Sequence, residues 1–258
     1  MNRHLQRIHA EEKQSRELIH RVKRRALFFL LFSVFFIFFG IFTISKHPAA
    51  GDQVEQPIPT SGPETEIPWN LILVNREYPL PLTFTVSLES VENVRMDSRA
   101  ASALSDMLTK AREANISLTA CSGYRSVKQQ KRLYEESISG NIQQGFSEEG
   151  AQQATQSVMQ PPGSSEHHTG LAVDLQSNAS PLNRSFAETE AYQWLSLHAW
   201  EYGFIERYPQ FKEEITEISW EPWHYRYVGR EFAQYMVEQN LCLEEYCTEH
   251  IPAYANSH

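Results

Sequence analysis

Between Ala26 and Ser45 the chain reads ALFFLLFSVFFIFFGIFTIS, twenty residues with eight Phe and no charge. Nothing polar breaks the run on any helical face. At about 1.5 Å rise per residue it covers about 30 Å, the hydrocarbon thickness of a bilayer, which predicts a transmembrane helix. Residues 46–68 then show no apolar period and carry Pro48, Pro57, Pro59, Pro63 and Pro68, the pattern of an extended linker. From Trp69 onward the pattern is that of a folded domain. Leu71–Val74 is a short apolar run and reads as a strand. Ala101, Leu104, Leu108 and Ala111 fall at helical spacing and predict a helix across 98–115. Ile116–Cys121 reads as a strand. Ser126-Val-Lys-Gln129 matches a capping box and opens a helix to about Ile138. Ser147–Met159 is helical in composition and is stopped by Pro161-Pro162. Gly170–Leu175 reads as a strand. Thr189–Tyr202 puts Ala191, Leu195, His198, Ala199 and Tyr202 on one helical face, which makes His198 a packed residue, and Gly203 ends the element. Trp223–Val228 alternates bulky side chains as a strand does, and Glu231–Gln239 is a last helix. Beyond Cys247 the pattern lapses into a loose tail, 248–258. Helices and short strands do not alternate regularly. The expected class is therefore α+β with one N-terminal transmembrane helix, rather than a doubly wound parallel sheet.

Charge adds a direction to this layout. The 258 residues carry a formal net charge of −9, which argues against a nucleic-acid-binding domain. That average hides two opposite parts. Residues 1–25 hold eight Lys/Arg against three Glu, net +5, with Arg21–Arg25 abutting the apolar run on one side only. The remainder from Lys46 holds 15 basic and 29 acidic residues, net −14. The positive-inside rule puts the basic leader in the cytoplasm and everything after Lys46 outside. A cleaved signal peptide is the competing reading. Against it, the run is long for a signal core and Ala49-Ala50 is a weak cleavage site. The expected organisation is a leader at 1–25, an anchor at 26–45, a linker at 46–68, one catalytic domain at 69–247 and a tail at 248–258. Three cysteines are too few for a disulfide scaffold. Cys242 and Cys247, five apart, either pair in the oxidising exterior or stand as two thiols at a helix end. Cys121, in an apolar stretch, reads as a buried small side chain.

Two segments carry candidate chemistry: Ser165-Glu-His167-His-Thr-Gly170-Leu-Ala172-Val-Asp174 and Glu221-Pro-Trp-His224-Tyr-Arg-Tyr. Two imidazoles and one carboxylate are a common ligand set for catalytic zinc, leaving a fourth position for water. Asp174 sits in a predicted strand and His167 or His168 in the loop before it, with Gly170 free to turn the backbone between them. His224 comes from a second strand. Alternation there sends His224 and Arg226 to one face and Trp223, Tyr225 and Tyr227 to the other. Glu221, three residues earlier, is placed beside the metal without being a ligand. A carboxylate there can move a proton from metal-activated water to a leaving amine. Arg125, at a predicted helix start, is either a solvated residue or a fork for an anion, since a guanidinium is always charged and binds bidentately.

The chain resembles the VanY-type D-alanyl-D-alanine carboxypeptidases of the lysostaphin/D-Ala-D-Ala metallopeptidase superfamily. The resemblance rests on Leu71-Ile-Leu-Val-Asn75, Ser122-Gly-Tyr-Arg-Ser126, Ser165-x-His167-x-x-Gly170-x-Ala172-x-Asp174, Gly203-Phe-Ile-x-Arg-Tyr-Pro209 and Glu221-Pro-Trp-His-Tyr-Arg-Tyr-Val-Gly229, in family order. It implies a small α+β domain whose antiparallel sheet carries the metal and is flanked by helices. It implies that His167, rather than His168, binds Zn²⁺ with Asp174 and His224, and that Glu221 is the catalytic base. It also implies that Arg125, Gln130 and Ser165 contact the substrate, with Arg207 and Tyr208 either lining the cleft or serving the fold. The sequence departs from the pattern at Glu217, where the family has glycine, and at Glu206, where an apolar residue is commoner. The expected activity is removal of the terminal D-alanine from peptidoglycan stem peptides by a membrane-anchored zinc carboxypeptidase. An L,D-carboxypeptidase acting on tetrapeptide stems uses the same motifs. A non-catalytic wall-binding module would lack a ligand or the Glu, and all four residues are present.

Overall fold

Alternation along two short strands decides which face of this molecule is core and which is site. The structure is a computed structural model that describes residues 67–178 and 182–255. The expected leader and anchor, and all of the linker before residue 67, lie outside the described residues. Among the described residues no helix is long and apolar enough to cross a membrane.

The described part opens with a hairpin of β1 (Leu88–Val91) and β2 (Val94–Asp97). Helix α1 (Ala101–Glu113) follows and buries Ala101, Leu104, Met107, Leu108 and Ala111, the stripe expected from spacing. Strand β3 (Thr119–Ser122) leads into α2 (Val127–Gln143). The predicted capping box is present: Ser126 Oγ accepts from the Gln129 N–H at 3.2 Å, and Gln129 Oε1 accepts from the Ser126 N–H at 2.8 Å. Helix α3 (Glu148–Gln156) packs back on α2, where Asn141 Nδ2 donates to Thr155 Oγ1 at 3.1 Å. Strand β4 (Ala172–Gln176), α4 (Glu190–His198), β5 (Phe204–Glu206), α5 (Glu213–Thr216), β6 (His224–Tyr227), α6 (Arg230–Gln239), α7 (Leu243–His250) and α8 (Pro252–Ala255) complete the order.

The larger sheet has the order β3-β4-β6-β5, and all its pairings are antiparallel. Val173, Leu175 and Tyr225 point to one face, where they meet Leu104, Leu108 and Leu195 of α1 and α4 in a buried apolar cluster. Asp174, His224 and Arg226 therefore point to the other face. The mixed helical and antiparallel architecture is the expected α+β class. A second apolar cluster joins Ile205, Val228, Met236, Leu243 and Tyr246.

Several expectations are corrected. Leu71–Val74 is buried as predicted but is not a strand. Its backbone is satisfied by side chains instead of a ladder: Arg226 Nη2 donates to the carbonyls of Asn70 (3.1 Å) and Ile72 (2.8 Å), and the Leu73 N–H donates to Tyr254 Oη (2.9 Å). The loose tail is also wrong up to Ala255, because Ile251 and Tyr254 are buried in the second cluster and the chain there is helical. Of the two readings of Cys242 and Cys247, the second holds, since both are free, buried thiols at helix α7, whereas Cys121 is exposed rather than buried. Cys121 is the extra residue of a bulge, since Ala120 pairs with Leu175 and Ser122 with Asp174. His198 is only half-buried, and its Nδ1 meets Glu201 Oε1 at 2.9 Å instead of packing in the core.

Candidate metal centre

Ser122, Asp174 and His224 lie side by side across β3, β4 and β6, as register partners in adjacent pairs. The bulge at Cys121 makes this row possible. Without the extra residue Ser122 would face the apolar side, and the Gly123–Arg125 segment that follows would leave the site. Gly123 also needs to be glycine: a Cβ there would stand 2.4 Å from the Arg95 carbonyl oxygen.

His167 enters from a short 3₁₀ segment, Glu166–Thr169, that ends at Gly170 with φ +71°. A Cβ on Gly170 would stand 2.7 Å from the Asp97 amide nitrogen, so both conformation and space demand glycine. His167 Nδ1 lies 2.7 Å from the Gly123 carbonyl and must donate to it, which leaves Nε2 as the lone-pair nitrogen. That Nε2 is 3.4 Å from Asp174 Oδ2, while Asp174 Oδ1 is 2.9 Å from His224 Nδ1. The two imidazole rings are edge-on, with centroids 5.0 Å apart. All three side chains are buried, and one ligand atom from each lies within 4.8 Å of the others. Two nitrogen donors and one carboxylate gathered around a single point fit Zn²⁺.

His168 is excluded from this group by its own bonds. Its Nδ1 donates to the Arg125 carbonyl at 2.7 Å and its Nε2 accepts from the Gly163 N–H at 3.1 Å. It braces the loop that carries Arg125.

Electrostatics at the centre follow from burial and from these pairings. Burial would raise the Asp174 carboxyl, but His167 and His224 outweigh it and hold the group well below the usual carboxylate range. Burial pushes His167 down, towards the neutral form a ligand needs. For His224 burial lowers, but contact with Asp174 and Glu166 wins and raises the ring to about 9. Glu221 is pushed up to about 8, chiefly by burial, with His224 and Arg125 opposing. A carboxylate so raised exchanges its proton near neutral pH, as a general base must. Its Oε2 stands 3.9 Å from His224 Nδ1. The Glu221 N–H donates to the Tyr208 carbonyl at 3.1 Å, and the Glu221 carbonyl accepts from the His224 N–H at 3.1 Å, which fixes the turn between them.

A cleft of about 320 Å³ opens over the centre, and His167, Asp174, His224, Glu221, Arg125, Gln130 and Ser165 all line it. The seven residues singled out in the sequence are thus brought to one place. Arg125 Nη2 donates to Ser122 Oγ at 3.0 Å and lies 3.6 Å from Asp174 Oδ2. Its Nη1 donates to Gln130 Oε1 at 2.8 Å, and Gln130 Nε2 donates on to the Gln160 carbonyl at 2.6 Å. Gln130 is buried and engaged at both ends of its amide, so in this arrangement it orients Arg125. Tyr208 lines the cleft, with its ring 4.9 Å from that of His224. Arg207 does not line it. Fully buried, it bonds Glu166 and Glu244 and serves the fold. Val158, Leu182 and Ile218 give the cleft an apolar wall that sequence reasoning missed, because they lie in connecting segments without a periodic pattern.

Both departures from the family pattern have structural accommodations. Glu217 keeps the left-handed backbone that glycine would favour, at φ +57°, and its carbonyl accepts from Arg76 Nη2 at 2.9 Å. Glu206 turns away from the cleft and accepts from Trp220 Nε1 at 2.7 Å and Tyr192 Oη at 3.1 Å.

With this geometry in hand, comparisons with known proteins agree closely. The family model described as VanY, D-alanyl-D-alanine carboxypeptidase, matches residues 93–230. A D-alanyl-D-alanine carboxypeptidase of Enterococcus faecalis (strain ATCC 700802 / V583) is 41% identical over 179 residues. That stretch covers 69% of this chain and 65% of the relative, so the match spans just under two thirds of its length. Among solved structures, the vancomycin-resistance D,D-pentapeptidase VanY of a VanB-type cassette, in complex with Zn(II), is similar with a TM-score of 0.64 and 40% identity. It covers 69% of this chain and 99% of that one. The LdcB LD-carboxypeptidase, solved in work on peptidoglycan recognition, is similar with a TM-score of 0.60 and 35% identity, covering 71% of this chain and 87% of that one.

Proposed function

Because the chain belongs to the VanY family of D-alanyl-D-alanine carboxypeptidases, we propose that it is a zinc D,D-carboxypeptidase that removes the C-terminal D-alanine of peptidoglycan stem peptides. The observation that carries this reading is the convergence of His167, Asp174, His224, Glu221 and Arg125 on one cleft. His167 Nε2, an Asp174 oxygen and His224 Nδ1 hold the zinc. When bound, zinc supplies Lewis acidity, which acidifies water and polarises a carbonyl oxygen. Glu221 takes the proton of the attacking water and returns it to the leaving amine. Arg125, held by Ser122 and Gln130, pairs with the substrate's terminal carboxylate and with negative charge developing at the scissile carbonyl. Ser165 contributes a hydroxyl at the cleft wall. Burial sharpens each of these interactions by excluding water.

The domain acts outside the cytoplasm, tethered by a transmembrane helix at 26–45. Support for that comes from the twenty uncharged residues and from the one-sided basic cluster Arg21–Arg25.

The likeness to the LdcB LD-carboxypeptidase favours a second reading, cleavage of tetrapeptide stems. Incubating the purified protein with defined penta- and tetrapeptide stems and weighing the products decides between them. Loss of one alanine from the pentapeptide alone is expected. Loss from the tetrapeptide alone would replace the first reading with the second, and loss from neither would overturn both.

A further inference from the structure

Glu166 precedes His167 in the chain and faces His224, yet no step above uses it. Its side chain is fully buried. Oε1 accepts from two guanidinium groups at once, Arg207 Nε at 2.7 Å and Arg226 Nη1 at 2.6 Å. Both arginines are themselves fully buried and held elsewhere. Arg207 grips Glu244 with Nη1 (2.8 Å) and Nη2 (2.6 Å), and Arg226 Nη2 caps the carbonyls of Asn70 and Ile72. Two cations and two anions thus form a buried neutral quartet that fixes the Glu166 carboxylate plane.

The other oxygen, Oε2, has no hydrogen-bond partner, and neither has His224 Nε2. These two orphaned atoms face one another at 3.8 Å. They are complementary, an acceptor and a ring N–H, and a shift of about 1 Å brings them into hydrogen-bond range. His224 offers its other nitrogen, Nδ1, to Asp174 Oδ1 and so to the centre. A metal-bound imidazole gains basicity and a fixed ring plane when its remote N–H is given to a carboxylate.

We propose that Glu166 is the positioning residue for His224: anchored by Arg207 and Arg226, it accepts the Nε2 proton and so keeps the Nδ1 lone pair on the zinc. This rests on the zinc reading above, in which His224 is a ligand.

The substitution Glu166→Gln tests it, because it changes the polarity of one atom at nearly constant shape. Two donors already point at Oε1, so the amide oxygen must stay there, and the NH₂ must face His224 Nε2. Two donors then oppose each other. The ring is relieved only by moving its proton to Nδ1, where it blocks the metal. Glu244→Gln is the control: it removes the same charge from the same quartet on the side remote from His224. Zinc affinity is measured by competition with a chromophoric chelator, on samples whose folding is checked by circular dichroism. We expect E166Q to bind zinc about 10- to 100-fold more weakly than wild type, and E244Q, which keeps Glu166 with its two arginines, to lose less than E166Q. If E166Q folds and binds within twofold of wild type, the inference fails while the zinc reading stands. Equal losses in E166Q and E244Q would also overturn it, since charge removal alone would then explain the effect. If the wild-type chain itself binds no zinc, both readings fall. Should E166Q not fold, the zinc-loaded wild type, labelled with ¹⁵N-histidine, carries the test. The His224 Nε2 proton should be resolved, downfield and slow to exchange. A freely exchanging proton there would overturn the inference.

Discussion

Glu221 owes its chemistry to its surroundings. An exposed carboxylate titrates near pH 4, whereas burial beside His224 lifts this one to about 8. Replacing it with Gln keeps its shape and its turn but leaves no base. The expected result for E221Q is a turnover lower by about 10²- to 10⁴-fold, with zinc content by mass spectrometry unchanged. Wild-type turnover in that variant would sink the proposed role. At the same scale, His167 and His168 show what sequence leaves open. They are adjacent and chemically identical. Each gives Nδ1 to a backbone carbonyl, and the Gly163 N–H occupies Nε2 of His168 alone, so only His167 has a nitrogen to spare. Gln130 and Arg207 are similar cases. Each is a polar side chain in a recognisable motif, and its role is set by what it touches at a distance of 5 to 41 positions along the chain.

Among the elements, the long periodic segments and the short strands β3, β4 and β6 were legible, and the β1–β2 hairpin and β5 were not. Helices α1 and α2 follow their apolar spacing and their capping box. The β1–β2 hairpin was missed because its turn carries Glu92 at φ +50°, without the Gly or Asn-Gly that marks such turns. Strand β5 is three residues long and is a strand only because β6 lies beside it. Leu71–Val74 errs the other way: its apolar run reads as a strand, but its backbone groups are met by Arg226 and Tyr254. Strand β5 also carries a test. Glu206 is raised above the ordinary carboxylate value by burial, with Trp220 and Tyr192 partly offsetting this. The folded chain therefore binds this proton more tightly than the unfolded chain. Stability from this group is full below the unfolded carboxylate value and is lost as pH rises through the folded one. Glu206→Gln is neutral throughout, and the Tyr192 hydroxyl can reverse to accept from its amide. The melting temperature of E206Q relative to wild type should climb between about pH 4 and neutrality. A difference independent of pH would refute the assignment.

At the scale of the whole molecule, the domain is longer than its motifs. Ile251 and Tyr254 are buried against the Leu71–Val74 segment, so ends of the domain more than 170 residues apart hold each other, as the Leu73–Tyr254 bond shows. A chain stopped after Thr248 loses both side chains and should be destabilised by about 3 kcal/mol or more in urea unfolding, from two large apolar deletions. Unchanged stability would show that the terminal turn is an ornament. The proposed tether is tested at this scale too. The full chain should sediment with bacterial membranes and resist alkaline extraction, and a chain lacking residues 1–45 should stay soluble. A full chain that is itself soluble would remove the anchor from the proposal.

The amino-acid order alone determined the residue types of the centre, the α+β class and the long helices, because periodicity, caps and motif spacing are local properties of a chain. What only the tertiary structure decided is how those residues meet. The bulge at Cys121 turns Ser122 and Arg125 towards the site. The Gly163 N–H, bound to Nε2 of His168, chooses between neighbouring histidines, and the Arg207–Arg226–Glu166–Glu244 quartet stands behind His224. Each depends on contacts between residues far apart in sequence. Burial there removes water as the alternative partner, so the geometry of the folded chain sets which hydrogen bond is made.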